Sequence, residues 1–195
     1  MDKISYALGL GIGQQIKSMN IENFSIEDFA KSISDVMEDK ETAFTSREAQ
    51  VMLQEFFQKK QKEEAEKFIA EGKAYLDENA KKEGVTVTKS GLQYEVLQEG
   101  TGKSPKATDT VRCHYEGRLL DGTVFDAGTL DAVPVGAGRV IPGFDAALAA
   151  MSAGAEWEVT IPAELAYGEQ AMDKIPAMST LVFKLKVVEV VNQSK

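Results

Sequence analysis

The chain of 195 residues contains a single cysteine, Cys113, and a single histidine, His114. One cysteine excludes an internal disulfide bond and a cysteine-based metal cluster. Cys113 lies on the apolar side of an alternating segment, which favours a buried structural thiol over a nucleophile. His114 lies on the opposite side, which favours a structural hydrogen bond over catalysis. The sequence also has no Ser-His-Asp set for nucleophilic catalysis and no suitably spaced pair of carboxylates for acid–base catalysis. We expect neither a metal site nor a cofactor.

Basic side chains are fewer than acidic ones in both halves of the chain, and the formal net charge is −9. This balance excludes the basic surface with which proteins bind nucleic acids or anionic membranes. No segment approaches the roughly 20 apolar residues of a membrane span, and the first residues lack the basic start and apolar run of a signal peptide. We therefore expect a soluble, cytoplasmic protein, with a periplasmic or exported protein as the alternative if a signal peptide has been removed.

Proline is absent before Pro105, which favours long uninterrupted helices in the first part of the chain. Apolar residues at helical spacing predict a first helix over residues 5–19. Ser25, followed by an acidic residue three positions later, predicts the start of a second helix.

A third helix is predicted from a capping box formed by Thr45 and Glu48. Nothing interrupts the chain after it until Gly84, so residues 46–83 are expected to form one helix of about 57 Å. The first turns of this helix carry an apolar face, whereas residues 58–64 are all polar. Such a polar stretch is typical of a solvated stalk, since it has nothing to bury.

Two short helices and the first turns of a third cannot bury all of their own Leu, Ile, Met and Phe side chains. Pairing with a second copy would cover them, and we expect residues 1–57 to form a helical dimerisation domain. Residues 58–84 then form the remainder of the linker helix. The alternative is a compact monomeric helical subdomain.

The composition changes at Val85 to β-branched residues, glycine and turn signals, which predicts a second domain over residues 85–195. Strands are expected over residues 92–97, 111–116, 156–161 and 181–191, and a short helix over residues 144–151. Asp121 and Gly122 predict a tight hairpin after the second of these strands. Antiparallel strands around one helix make an α+β domain.

Aromatic and aliphatic residues of this second domain suggest a pocket for an apolar group with a polar handle, and Asp126 is the one charge among them. The simplest alternative is that these side chains only form the core, and this alternative is strongest for Phe183. The candidate lining residues are Tyr115, Phe125, Val140, Ile141, Phe144, Tyr167 and Phe183.

A set of short motifs in this order resembles the FKBP family of peptidyl-prolyl cis-trans isomerases. The motifs are Tyr115-Glu116-Gly117, Asp121-Gly122, Phe125-Asp126, Val140 to Phe144, Ala166-Tyr167-Gly168, Ile175-Pro176 and Thr180 to Phe183. The resemblance implies a bent antiparallel sheet that wraps one short helix. The residues that open the first helix, Ser5 to Gly9, resemble the N-terminal dimerisation domain of the Mip-like FKBPs, in which long helices hold two catalytic domains apart in a V.

The same resemblance implies roles for individual residues. Phe144 would be the floor under a proline ring, between the walls formed by Phe125, Val140 and Phe183. The Ile141 N–H and the Tyr167 hydroxyl would bind peptide carbonyls, and Asp126, held by Tyr115, would orient the twisted bond. Tyr115, Phe125, Asp126 and Tyr167 are thus the expected catalytic residues. Substrate binding is expected of Val140, Ile141, Phe144, Ile175 and Phe183.

This sequence departs from the family's usual pattern at the edge of the implied pocket. Phe144 stands where tryptophan is usual, and Asp131 and Val133 stand where aromatic residues often close the pocket. The loop over residues 169–174 is a residue short, and Ala177 replaces a second proline. The resemblance also implies binding of macrolide inhibitors. The departures bear on the level of isomerase activity and on the affinity for these inhibitors.

The predicted function is therefore cis-trans isomerisation of Xaa–Pro bonds during protein folding, accompanied by chaperone activity. The expected partners are proline-containing unfolded polypeptides and a second copy of the chain. Two alternatives remain: a non-catalytic dimeric holdase chaperone, and a peptide-binding module that has lost its activity.

Overall fold

The computed structural model describes residues 1–107 and 109–191, which form two compact units. The first unit extends from Met1 to Gln54, and the second begins at Glu55, inside the long helix. The three expected segments, 1–57, 58–84 and 85–195, remain a proposal about what each segment does. The second unit begins earlier than the domain expected over residues 85–195, because it already includes the long helix from Glu55 onward.

The first unit is helical; its second and third helices begin where the capping residues predict, and its first helix begins two residues before the predicted start. Helix α1 covers Lys3–Ser18, helix α2 covers Ile26–Met37, and helix α3 begins at Ser46. The Ser25 hydroxyl accepts the Asp28 N–H at 3.2 Å. Thr45 and Glu48 form both bonds of the capping box, at 3.2 Å and 2.8 Å, between side chain and backbone. Side chains therefore satisfy N–H groups that the first helical turn leaves open.

Helix α3 covers Ser46–Asn79, so the predicted extension to residue 83 was wrong. After Asn79 the backbone bonds tighten from four-residue to three-residue spacing, and the Lys82 N–H donates to the Asn79 carbonyl at 3.1 Å. Gly84, with φ +87°, then turns the chain into the sheet. The helix is about 51 Å long.

In the described residues of the second unit, six antiparallel strands form one sheet in the order β1-β2-β5-β6-β3-β4. Strands β1 to β4 cover Val85–Val87, Gln93–Gln98, Thr110–Arg118 and Val124–Pro134. Strands β5 and β6 cover Glu156–Ile161 and Leu181–Val191, as predicted. Helix α4 covers Pro142–Ala150, and a short 3-10 helix covers Ala163–Leu165. The helical region followed by an antiparallel sheet confirms the α+β fold.

The core of the second unit lies between α4 and one face of the sheet. Leu148 of α4 is fully buried, as are Val159 of β5 and Leu185 of β6. On β3, Val111 and Cys113 point into this core while Arg112 and His114 are exposed, which confirms the predicted alternation. The sheet thus presents every second residue of β3 to the helix side.

The predicted hairpin joins β3 to β4. Gly122 has φ +86°, and the Asp121 carboxylate accepts the Thr123 N–H at 2.8 Å. The turn sets a register in which Gly117 lies opposite Asp126. Tyr115 and Phe125 are therefore brought to the same region of the sheet by local turn chemistry.

None of the helices in the described part of the chain combines the length and the apolar character that crossing a membrane requires.

Candidate functional site

Four aromatic rings from four different elements meet on the helix side of the sheet. Phe144 of α4 lies edge-to-face with Phe183 of β6, with ring centroids 5.3 Å apart, and with Tyr115 of β3 at 6.1 Å. Phe125 of β4 packs on Phe183 in the same manner at 5.6 Å. Edge-to-face contacts add stability beyond buried area because a positive ring edge meets a negative ring face. Phe144 and Phe183 are each 4% exposed, so they form the deepest part of this aromatic cluster.

Gly117 permits the closure of this cluster. A Cβ atom at position 117 would lie 2.5 Å from the Phe125 ring and 2.7 Å from the Phe183 ring. Glycine is otherwise unfavourable inside a strand, and its usual reason there is a close approach of this kind. Sequence reasoning missed the role of Gly117, although its position inside a strand was a signal.

A hydrogen bond joins Tyr115 to Asp126 at the edge of the cluster. The Tyr115 hydroxyl donates to Asp126 Oδ2 at 2.8 Å. This bond to the carboxylate, followed by burial, raises the pKa of Tyr115 to about 12. The phenol therefore keeps its proton over the whole physiological range. Asp126 itself is exposed, which leaves the carboxylate accessible beside the rings.

Val140 and Ile141 precede helix α4 and are both half-buried against the core. Ile141 is the N-cap residue of α4, with φ −57° and ψ 145°, and its carbonyl accepts the Phe144 and Asp145 N–H groups. Pro142 follows at the first position of the helix. These bonds fix the backbone at Ile141 relative to the Phe144 ring.

Tyr167 and Ile175 belong to the connection between the 3-10 helix and β6. Tyr167 is half-buried against the core, and Ile175 is 6% exposed. Gly168 follows Tyr167 with φ +57°, and its carbonyl accepts the Met178 N–H at 2.7 Å. Eight of the nine predicted site residues belong to the hydrophobic core of the second unit or pack against it, and the ninth, Asp126, is bonded to Tyr115. Ring contacts join four of them: Tyr115, Phe125, Phe144 and Phe183.

His114 and Cys113, the histidine and the cysteine of the chain, have surroundings that differ from those of the aromatic cluster. His114 is exposed on the opposite face of β3, where its Nδ1 forms a 2.7 Å hydrogen bond with Thr129 Oγ1. Cys113 is buried, and desolvation raises the pKa of its thiol to about 11. Both findings confirm the structural roles expected of these side chains. In residues 1–107 and 109–191, no group of three or more His, Cys, Asp or Glu side chains could hold a metal ion.

Two of the departing residues lie on opposite sides of β4. The Asp131 carboxylate pairs with the Arg112 guanidinium at 3.0 Å, on the exposed side of the sheet. Val133 is 5% exposed and belongs to the core. Asp131 therefore has an ion-pair partner on the face of β3 opposite to Tyr115. The cluster itself offers an apolar surface with one accessible carboxylate, which suits binding and orientation of a substrate rather than proton transfer.

Both parts of the chain match known family models. Residues 1–96 match the domain amino terminal to FKBP-type peptidyl-prolyl isomerase, and residues 101–188 match the FKBP-type peptidyl-prolyl cis-trans isomerase. The FKBP-type 22 kDa peptidyl-prolyl cis-trans isomerase of Escherichia coli (strain K12) is 43% identical over 192 residues, which cover 95% of this chain and 93% of that protein.

Two further relatives extend the comparison. The outer membrane protein MIP of Legionella longbeachae is 37% identical, with 97% of this chain and 85% of that protein covered. The crystal structure of FkpA from Escherichia coli superposes with a TM-score of 0.77 at 31% identity, and covers 98% of this chain and 97% of that chain.

Proposed function

The chain belongs to the FKBP-type peptidyl-prolyl cis-trans isomerase family, and on this premise we propose that the aromatic cluster around Phe144 is where it binds proline and rotates the Xaa–Pro bond. The observation that carries the proposal is the contact of Phe144, deep in the cluster, with Tyr115, whose hydroxyl holds Asp126 at 2.8 Å. An apolar floor and a carboxylate thus lie side by side.

The chemistry requires no proton transfer and no nucleophile. The barrier of about 20 kcal/mol arises from the amide resonance that is lost when the bond twists. Water raises this barrier because it stabilises the polar planar form. An apolar site that takes the proline ring removes that water and favours the less polar twisted amide.

Polar groups at the rim of the cluster orient the substrate in this proposal. Asp126 acts electrostatically on the twisted carbonyl region, and Tyr115 fixes the position of the carboxylate. The Tyr167 hydroxyl and the Ile141 N–H bind carbonyls of the peptide backbone. Ile175, Val140 and the two deep rings shape the apolar surface in this proposal, and all four belong to the hydrophobic core of the second unit or pack against it.

The direct test of the binding surface compares Phe125→Ala with Val124→Ala in a protease-coupled isomerisation assay on the intact chain. Phe125 packs on Phe183, whereas the neighbouring Val124 is 48% exposed. Removing the Phe125 ring opens the site to water, and we expect kcat/KM to fall by about tenfold or more. Val124→Ala should leave kcat/KM unchanged. An equal effect of both variants would contradict the proposed site.

We also propose that residues 1–57 form a homodimer and that the following part of α3 links it to the isomerase domain. The support is that no residue of α1 or α2, as the structure describes them, is buried. Exposed fractions reach 63% for Leu8, 64% for Val36 and 55% for Leu53. Apolar surface of this extent is rarely left open in a soluble monomer, and a second copy would cover it.

Proline-containing unfolded polypeptides are the proposed clients, and the resemblance to FKBPs extends the proposal to chaperone activity and to macrolide binding at Phe144. Phenylalanine is smaller than the tryptophan usual at this position and would contact a macrolide less extensively. Titration of the intact chain with a macrolide, monitored by loss of isomerase activity, tests macrolide binding. The absence of inhibition at saturating macrolide would contradict it.

The location is proposed from the relatives rather than from composition. One of the reported relatives is named an outer membrane protein. None of the reported names supports the expectation of a cytoplasmic protein. We therefore adopt the alternative of a periplasmic or exported protein. Cell fractionation with an antibody against the chain tests it, and recovery only in the cytoplasm would reject it.

A further inference from the structure

Gly72 lies within helix α3 and is buried against the end of the connection that leads into β6. A Cβ atom at position 72 would overlap Thr180 Oγ1 and lie 3.4 Å from Thr180 Cβ. Thr180 is itself only 5% exposed. Glycine is the least favourable helix-interior residue after proline, so the close approach to Thr180 explains its presence here.

A second contact attaches the end of α3 to the sheet at a different place. The Asn79 side-chain amide donates to Gln93 Oε1 at 2.9 Å, and Gln93 Nε2 donates to the Leu76 carbonyl at 2.9 Å. Both amide side chains are buried, at 7% and 4% exposure. This contact holds the helix on β2 and does not involve the connection that ends at Thr180.

The connection over residues 167–180, here termed segment 167–180, carries two proposed site residues, Tyr167 and Ile175. Ser179, next to Thr180, donates its hydroxyl to the Pro176 carbonyl at 2.7 Å, which fixes the chain directly after Ile175. The Met178 N–H donates to the Gly168 carbonyl at 2.7 Å, directly after Tyr167. Met178 has φ +60°, a conformation that non-glycine residues rarely adopt and that the surrounding contacts must maintain.

The helix does not pack on this segment along its whole length. A cavity of about 280 Å³ lies beside the contact, lined by Lys67 and Phe68 of α3 and by Ser179 and Thr180 of the segment. The cavity is also lined by Leu119, Leu120 and Asp121 from the turn between β3 and β4, so α3 does not fill the space beside the segment at this level. At Gly72 the backbone of α3 lies so close to the segment that a Cβ atom would overlap Thr180.

From these contacts we infer that Gly72 is a positioning residue for the isomerase reaction: its contact with Thr180 holds segment 167–180, and thereby Tyr167 and Ile175, in place. The inference rests on the proposed function, in which those two residues contact the substrate. It makes the end of α3 part of the catalytic apparatus of the second unit.

The test is a double-mutant cycle in the full chain with Gly72→Ala, Thr180→Ala and the combination of both. The added methyl group displaces Thr180, so Gly72→Ala should lower kcat/KM by about three- to tenfold, mainly through a higher KM. Thr180→Ala removes the overlapping hydroxyl, so the double variant should return to within about twofold of Thr180→Ala alone. The amide NMR signals of Tyr167 and Met178 should shift in Gly72→Ala and return in the double variant.

Asn79→Ala is the matched control, because it loosens the same helix at β2 and leaves segment 167–180 untouched. It should lower stability while kcat/KM stays unchanged. The inference is overturned if folded Gly72→Ala keeps its kcat/KM, if Thr180→Ala gives no rescue, or if Asn79→Ala lowers kcat/KM as much as Gly72→Ala does. A common loss would mean that the helix only supports stability.

If Gly72→Ala does not fold, Thr180→Ala decides, because it leaves α3 intact and removes most of the side chain that Gly72 contacts; an unchanged kcat/KM would then reject the inference. Tyr167→Phe and Ile175→Ala separate the inference from the function on which it rests. If both retain full kcat/KM, the proposed roles of these residues fail. The NMR signals still report whether Gly72 positions the segment.

Discussion

At the scale of single residues, the Tyr115 hydroxyl is a hydrogen-bond donor whose proton is held by its surroundings. Its bond to Asp126 and its partial burial both disfavour the phenolate, and the pKa of Tyr115 rises to about 12. The ordinary value of a tyrosine pKa is about 10. Because the folded state raises this pKa, the hydrogen bond contributes its full stability below the unfolded value and loses it as pH rises toward the folded value.

Tyr115→Phe should therefore reduce the free energy of unfolding at neutral pH by about 1 kcal/mol, the usual value of one hydrogen bond. The difference between the two proteins should shrink between about pH 10 and about pH 12, where the wild-type phenol loses its proton. Urea unfolding of both proteins at several pH values measures this difference in the free energy of unfolding. Other alkaline effects are common to both proteins and cancel. A difference that stays constant to the alkaline limit would contradict the assigned bond.

The candidate site residues could be proposed from the sequence because they lie in short motifs along the chain, and alternation on β3 placed Tyr115 on the inner face. Gly117 and Gly72 could not be assigned in this way. Their importance depends on rings and side chains that come from distant strands, such as Phe183 and Thr180. Local sequence reports turn and helix preferences well, but it does not show which glycine another element approaches.

At the scale of elements, helix α3 shows both the strength and the limit of sequence signals. Its start was predicted correctly from the capping box of Thr45 and Glu48. Its end was predicted at Gly84 because glycine ends many helices, whereas the helix ends at Asn79. The Asn79 side chain bonds to Gln93, and this tertiary contact is not visible in the local sequence.

The packing of α3 predicts where the chain can be shortened. A chain that begins at Glu55 should fold and retain activity on a short peptide, since it keeps the helix contacts of the second unit. A chain that begins at Val85 loses the contact of Gly72 with Thr180 and leaves the buried Gln93 amide without Asn79. Its free energy of unfolding should be lower by about 2 kcal/mol or more. Urea unfolding of the two shortened chains compares their free energies of unfolding. Equal values would show that α3 contributes nothing to the stability of the second unit.

At the scale of the whole molecule, the two units differ in how much of their apolar surface they bury. The second unit has a core in which Leu148, Val159 and Leu185 are fully buried. The helices of the first unit leave large apolar side chains open, including Ile4 at 70% and Met37 at 79%. In the proposed homodimer this unit would gain stability by association, so that its folding and its pairing would be coupled.

Light scattering of the intact protein should give about twice the 21.2 kDa mass of one chain. Leu8→Glu combined with Leu53→Glu places charges in the proposed interface and should yield a monomer. Leu97→Glu is the matched control, because Leu97 is 47% exposed on the second unit. A monomeric wild type at micromolar concentration, or dissociation by the Leu97 variant as well, would reject the proposed dimer.

In the proposed mechanism the chain rotates prolyl bonds by desolvation and orientation, without proton transfer. The dependence of kcat/KM on pH in the intact protein tests it most directly, because the candidate site holds neither His114 nor Cys113 and its Tyr115 has a pKa of about 12. We predict a flat profile from about pH 5.5 to about pH 9. A bell-shaped profile centred near neutrality would show that an acid and a base act in the rate-limiting step, and would contradict the mechanism.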